Sequence, residues 1–126
     1  MPEPEPSRWA TSALLALIDS SGQAVLTLTE GLTAPDLARS RLTRAEARRQ
    51  MQALTDAAHA LPEAVRHQMP EADWPAWDRL RTTLAQARSP EQDEALWFAC
   101  SAMVPALLLW LQVYRKSHAG WFRVGG

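Results

Sequence analysis

The stretch WDRLRTTLAQAR, residues 77–88, carries side chains that could contact a phosphate. A guanidinium group can donate two parallel hydrogen bonds to a phosphate, and twelve of the thirteen basic residues in the chain are arginine. Arg81 and Gln86 are five residues apart, which places them about 140° apart around a straight helix. They can therefore share a ligand only at a loosened helix end or in a groove between two subunits.

A second group of arginines lies earlier in the chain. Arg44 and Arg48 are one helical turn apart, so the two could hold one backbone phosphate of a nucleic acid. A solvated helix face in an arginine-rich protein would show the same pattern. The whole group, which spans eleven residues, consists of Arg39, Arg41, Arg44, Arg48 and Arg49.

The sequence gives less support to metal binding and to catalysis by a cysteine nucleophile. His59, His67 and His118 are scattered, and no His or Cys is spaced as a zinc pair, so we expect no metal site and no cofactor. Nothing pairs Cys100, the one cysteine, with a base, so we interpret it as a buried structural thiol. A single cysteine also indicates a reduced, cytoplasmic setting.

The elements that must position these residues are helical. Gly31 is expected to end the first helix, and the spacing of Thr43 and Glu46 predicts a capped helix start. No segment alternates as a strand does. We predict an all-α protein, an antiparallel bundle of four to five helices in one domain at residues 7–117, with a disordered tail at 1–6 and a C-terminal tail at 118–126. Apolar spacing places the helices at about 7–30, 34–39, 43–61, 74–88 and 90–117, with a short helical stretch at 62–68.

The last predicted helix is unusually apolar, because residues 95–114 contain no charge and are long enough to cross a bilayer. We favour a central helix that also packs on a second copy or on a partner, and we expect no membrane insertion. The reasons are Cys100, Ser101, Pro105 and Gln112 within this helix and the lack of a second candidate span. Pro105 is expected to bend the helix.

The net charge of −1 excludes a generally basic, nucleic-acid-coating surface, so any RNA site must be local. The chain resembles the HepT-like ribonuclease-toxin family of the HEPN superfamily over about a hundred residues. The resemblance rests on six segments in order: Glu30-Gly31-Leu32-Thr33, Leu42-Thr43-Arg44, Leu61-Pro62-Glu63, Met69-Pro70-Glu71 with Trp74, Trp97, and Pro105-Ala106-Leu107-Leu108.

The resemblance implies a helical bundle that forms a homodimer and cuts RNA without a metal. It places the phosphate-binding arginine at Arg81, followed by Thr82. The catalytic histidine position is Gln86, and the tyrosine that a nucleotidyltransferase-type antitoxin modifies is Arg88. Glutamine cannot transfer a proton near neutral pH, so stretch 77–88 resembles a catalytic helix that has lost its base.

Three hypotheses follow. The first is a HepT-like dimer without nuclease activity, which binds a nucleotidyltransferase-type partner or weakly binds RNA or a nucleotide through Arg81, Thr82, Arg88, Arg44 and Arg48. The second is an active endoribonuclease in which His59 or His67 replaces the lost base. The third is a helical adaptor with no nucleic-acid role.

Overall fold

The computed structural model describes residues 4–122, with side chains from Arg8 onward, and every regular element in that part of the chain is helical. The predicted all-α class is therefore confirmed. In chain order the helices are α1 (Pro4–Thr29), α2 (Ala34–Arg39), α3 (Arg41–Ala60), α4 (Glu63–His67), α5 (Trp74–Leu84), α6 (Pro90–Phe98), α7 (Val104–Ser117) and α8 (Ala119–Phe122). A 3-10 turn lies at Pro70–Ala72, and a π-helical segment at Ala99–Met103 joins α6 to α7.

Four helical rods form the bundle: α1, α3, α5 and the continuous rod of α6, the π segment and α7. α1 packs along α3 and α7, and α3 packs along α5. α1 and α7 are antiparallel, because Gly22 meets Leu108 while Asp19, earlier in α1, reaches Arg115, later in α7. Gly22 permits this approach, since a Cβ there would lie 3.0 Å from a methyl carbon of Leu108.

The helical region extends beyond the predicted boundaries at residues 7 and 117. Residues 4–6, assigned above to a disordered tail, belong to the first turn of α1, and residues 1–3 lie outside the described part of the chain. At the other end, α8 packs on α1, and the Ser12 hydroxyl donates to the Trp121 carbonyl at 2.7 Å. Residues 123–126 of the predicted C-terminal tail lie outside the described part.

Helix boundaries follow local capping, although not always at the predicted residue. Gly31 ends α1 with a φ of 78°, a left-handed conformation that glycine adopts without strain. α3 begins at Arg41 and not at Thr43, because the Ser40 side chain accepts the Thr43 amide. Glu46 does not complete the predicted capping box; its carboxylate accepts hydrogen bonds from Arg49 and Gln50.

The π segment explains how Pro105 fits into the last rod. The Val104 amide donates to the Ala99 carbonyl, five residues back, so the regular ladder is interrupted just before the proline. Pro105, which has no N–H to donate, is then the second residue of α7 and directly follows this interruption.

In the part of the chain that the structure describes, two helices are long and apolar enough to cross a membrane, Arg8–Thr29 and Pro90–Ser117. The expectation that the last helix is the single candidate span is therefore wrong. Both are also core helices of the bundle, with Ile18, Val25, Leu107 and Leu111 almost wholly buried.

Candidate functional site

α5 presents Arg81 and Thr82 on one side and packs into the core with the other. Trp74, Trp77, Leu80 and Leu84 are buried at helical spacing. The indole N–H of Trp74 donates to the Met69 carbonyl at 2.9 Å, and that of Trp77 donates to the Ala72 carbonyl at 3.1 Å. These contacts fix the rotation of α5, so Arg81 and Thr82 remain exposed.

Arg81 forms an ion pair with α3. Its Nε lies 2.8 Å from the Asp56 carboxylate, and both side chains are substantially exposed. Gln52, Thr55, Asp56, Arg81, Thr82 and Ala85 line an open pocket at this place. A ligand phosphate entering the pocket would have to compete with Asp56 for the guanidinium group and would meet the repulsion of the same carboxylate.

A second polar contact lies about one turn away along the same two helices. His59 Nδ1 is 3.2 Å from Asp78 Oδ1, and Arg66 of α4 donates to both oxygens of Asp78 at 3.0 Å. Burial would raise the pKa of Asp78, but the hydrogen bonds from Arg66 and His59 and their charges outweigh it, so the pKa is lowered. Asp78 is therefore a carboxylate at neutral pH and holds the His59 ring in place.

The other predicted residues lie beyond the end of α5. This helix was predicted to reach Arg88 but ends at Leu84, so Gln86 and Arg88 belong to the connection to α6. The Gln92 side-chain amide donates to the carbonyls of Thr83 and Gln86, at 3.1 and 2.8 Å. The Gln92 side chain can reach these two carbonyls because the chain turns away from the helix after Leu84.

Arg48 reinforces this helix end. Its guanidinium donates to the carbonyl of Leu84 at 2.8 Å and to that of Gln86 at 3.3 Å. The Arg44 guanidinium instead donates to the Ala38 carbonyl. The two arginines predicted to hold one phosphate thus have separate partners within the chain.

Arg88 contacts a different part of the surface. It donates to both oxygens of Asp93, at 3.2 and 2.9 Å. Asp93 and Arg44 line a second pocket, between α2 and α6, that is mainly apolar. The structure therefore separates the predicted residues into three places. Arg81 lies with Thr82, Arg48 lies with Gln86, and Arg88 lies with Asp93 on the side of Arg44. The chain from Arg81 to Arg88 does not form one helical face.

Two features of this region were not predicted from the sequence. The first is the contact of His59 with Asp78. Its signal in the sequence was an equal spacing on two helices: Asp56 precedes His59 by three residues, and Asp78 precedes Arg81 by three residues. The second is the role of the Gln92 side chain. Ser89 does accept the Gln92 amide at 3.1 Å, but the Gln92 side chain turns towards α5.

Among the side chains that the structure describes, from Arg8 to Phe122, no three of His, Cys, Asp or Glu are grouped to hold an ion. Compared with models of known protein families, with curated proteins and with solved structures, the chain matches none of them.

We expect Gln92→Leu to lower the free energy of unfolding by about 1–3 kcal/mol, because the nearly buried amide is replaced and two carbonyls lose their donor. Urea unfolding followed by circular dichroism measures the change. Gln23→Leu, at an exposed position of α1, is the matched control and should differ from the parent by less than about 0.5 kcal/mol. Equal effects of the two substitutions would contradict the capping role of Gln92.

Proposed function

We propose that this chain is a HepT-like helical module that acts in the cytoplasm as a homodimer and binds a protein partner, with its ribonuclease activity lost. The observation that carries the proposal is the state of Arg81: its guanidinium is paired with Asp56, and the residue at the proton-transfer position, Gln86, lies outside the helix that holds Arg81. Such an arrangement offers no proton-transfer group beside the arginine at the expected position.

The partner is more readily a protein than RNA. Arg44, Arg48, Arg81 and Arg88, the arginines predicted to contact nucleic acid, each already bond a carboxylate or a carbonyl of this chain. RNA would have to displace those bonds before gaining its own phosphate contacts. A nucleotidyltransferase-type protein is the partner that the family resemblance implies, and Arg88 would give it no hydroxyl to modify.

One observation favours a second candidate, a ribonuclease with a replaced base. Asp78 binds His59 at Nδ1, which leaves Nε2 for proton transfer. The ion pair of Arg81 with Asp56 lies about one helical turn away, so a phosphate bound there would be near an imidazole.

Incubation of the purified protein with total cellular RNA, without metal ions, separates the two candidates. Under the proposed function we expect the wild type, Arg81→Ala and His59→Gln to leave the RNA intact alike. Cleavage by the wild type that falls at least about 100-fold in both variants would establish the second candidate and overturn the first. His67→Gln, which changes an exposed histidine on α4, is the control and should then cut as the wild type does.

The variant Gln86→His with Arg88→Tyr tests why the activity is absent. Because both positions follow the end of α5, we expect it to remain inactive. Cleavage by this variant alone would mean that two side chains, and not the early end of α5, account for the loss.

A further inference from the structure

The outer side of the α6–α7 rod is an exposed apolar face. It consists of Phe98, Ala102, Ala106, Leu109 and Val113, which we call the α6–α7 face. Leu109 is 64% exposed, Phe98 59% and Val113 50%, although the opposite side of the same rod forms the core of the bundle. Beside this row lies a depression of about 280 Å³ between Phe98, Trp110 and the start of α5. The face thus carries both projecting side chains and a recess.

The charges of the rod are separated by sign. Residues 95–114 contain none, the acidic residues Glu91, Asp93 and Glu94 lie near the amino end of the rod, and the basic residues Arg115 and Lys116 lie near its carboxyl end. Glu91 and Lys116 are both exposed. Glu91 precedes Val104 by thirteen residues and Lys116 follows it by twelve, so the two charges lie almost equally far from the middle of the rod.

We propose that the α6–α7 face binds a second copy of this chain, with the two rods antiparallel and crossing at Ala102 and Ala106. This inference rests on the proposed homodimeric function and identifies its surface. An antiparallel crossing brings Glu91 of each copy near Lys116 of the other, whereas a parallel one would oppose like charges. Two-fold pairing requires a patch that complements itself, and the row of large side chains beside a recess meets that requirement.

The sizes of the side chains agree with this arrangement. Alanines at the crossing allow the two rods to approach closely, and Phe98 of one copy then lies near Leu109 of the other, since both are comparably far from the crossing point. A bilayer is a poorer occupant of the face. Leu107, Leu111 and Tyr114 on the opposite side are buried in the bundle, so α7 would have to leave the core to span a membrane.

Light scattering coupled to size-exclusion chromatography, at micromolar concentration and without detergent, tests the face. The wild type is expected at twice the chain mass of 14.0 kDa. Leu109→Arg places a charge at the interface twice by symmetry, and we expect it to raise the dimer dissociation constant at least about 100-fold. Leu42→Arg is the matched control, because Leu42 is 84% exposed on α3, and it should remain a dimer.

Charge reversal tests the antiparallel direction independently of any effect of Leu109→Arg on folding. Glu91→Lys and Lys116→Glu should each weaken the dimer several-fold, as an exposed ion pair would, and the double variant should recover most of the affinity. If neither single variant weakens the dimer, or if the double variant is weaker than both, the antiparallel arrangement is wrong.

The remaining outcomes separate this inference from the proposed function. A dimer that survives in correctly folded Leu109→Arg overturns the α6–α7 face but leaves a homodimer standing. A monomeric wild type overturns both, and so does a monomer that binds phosphatidylcholine vesicles through Leu109.

Discussion

Trp77→Ala is expected to lower the free energy of unfolding by about 3–5 kcal/mol, the range for removing a large aromatic side chain from a packed core. Trp77 is 2% exposed, and its indole N–H donates to the Ala72 carbonyl at 3.1 Å. The substitution would leave a cavity and remove a donor from that carbonyl at the same time. Guanidinium unfolding followed by far-ultraviolet circular dichroism gives the value.

Trp77→Phe separates the two contributions. Phenylalanine fills most of the space but cannot donate to Ala72, so its cost should be clearly smaller than that of alanine. A loss below about 1 kcal/mol for Trp77→Ala would contradict the position of this side chain in the core. A loss that small would also mean that Trp77 does not hold α5, and with it Arg81, in place.

Cys100 is expected to resist thiol reagents in the folded protein and to react readily in urea. Burial raises the pKa of the Cys100 thiol to about 12, against an ordinary value of 9.0. At pH 8 the reactive thiolate is therefore about a thousandfold scarcer than in a free thiol, and the thiol is also 1% exposed.

The reaction of the protein with a chromogenic disulfide at pH 8, with and without urea, measures this protection. The native rate should fall at least about a thousandfold below the denatured rate. Rapid modification of the native protein would contradict the buried structural role predicted for Cys100.

Much of the fold could be predicted because its signals are local. Gly31 ends α1 as predicted, and Thr33, three residues before Asp36, caps α2 by accepting the Asp36 amide. The start of α3 was missed by two residues because both Ser40 and Thr43 are capable caps. Only the path of the chain after α2 shows that Ser40 takes that role.

The site was harder to predict because its geometry depends on residues distant in sequence. Continuous helical spacing predicted that α5 extends to Arg88. The helix instead ends at Leu84, where Arg48 and Gln92 bind its last carbonyls. The contacts of Arg81 with Asp56 and of Asp78 with His59 likewise require α3 and α5 to lie antiparallel. The spacing of residues within one helix does not predict how that helix aligns with another.

The π segment sets the rotational phase of the last rod. Gln92, Leu96, Cys100, Val104 and Leu108 are all buried at steps of four residues, although each such step drifts about 40° around a regular α-helix. The wider turn at Ala99–Met103 offsets part of this drift and keeps the row directed inward. Deleting one residue there would turn α7 by about 100° relative to α6. The rotation of α7 relative to α6 therefore depends on the number of residues in this segment more than on the identity of any one small residue within it.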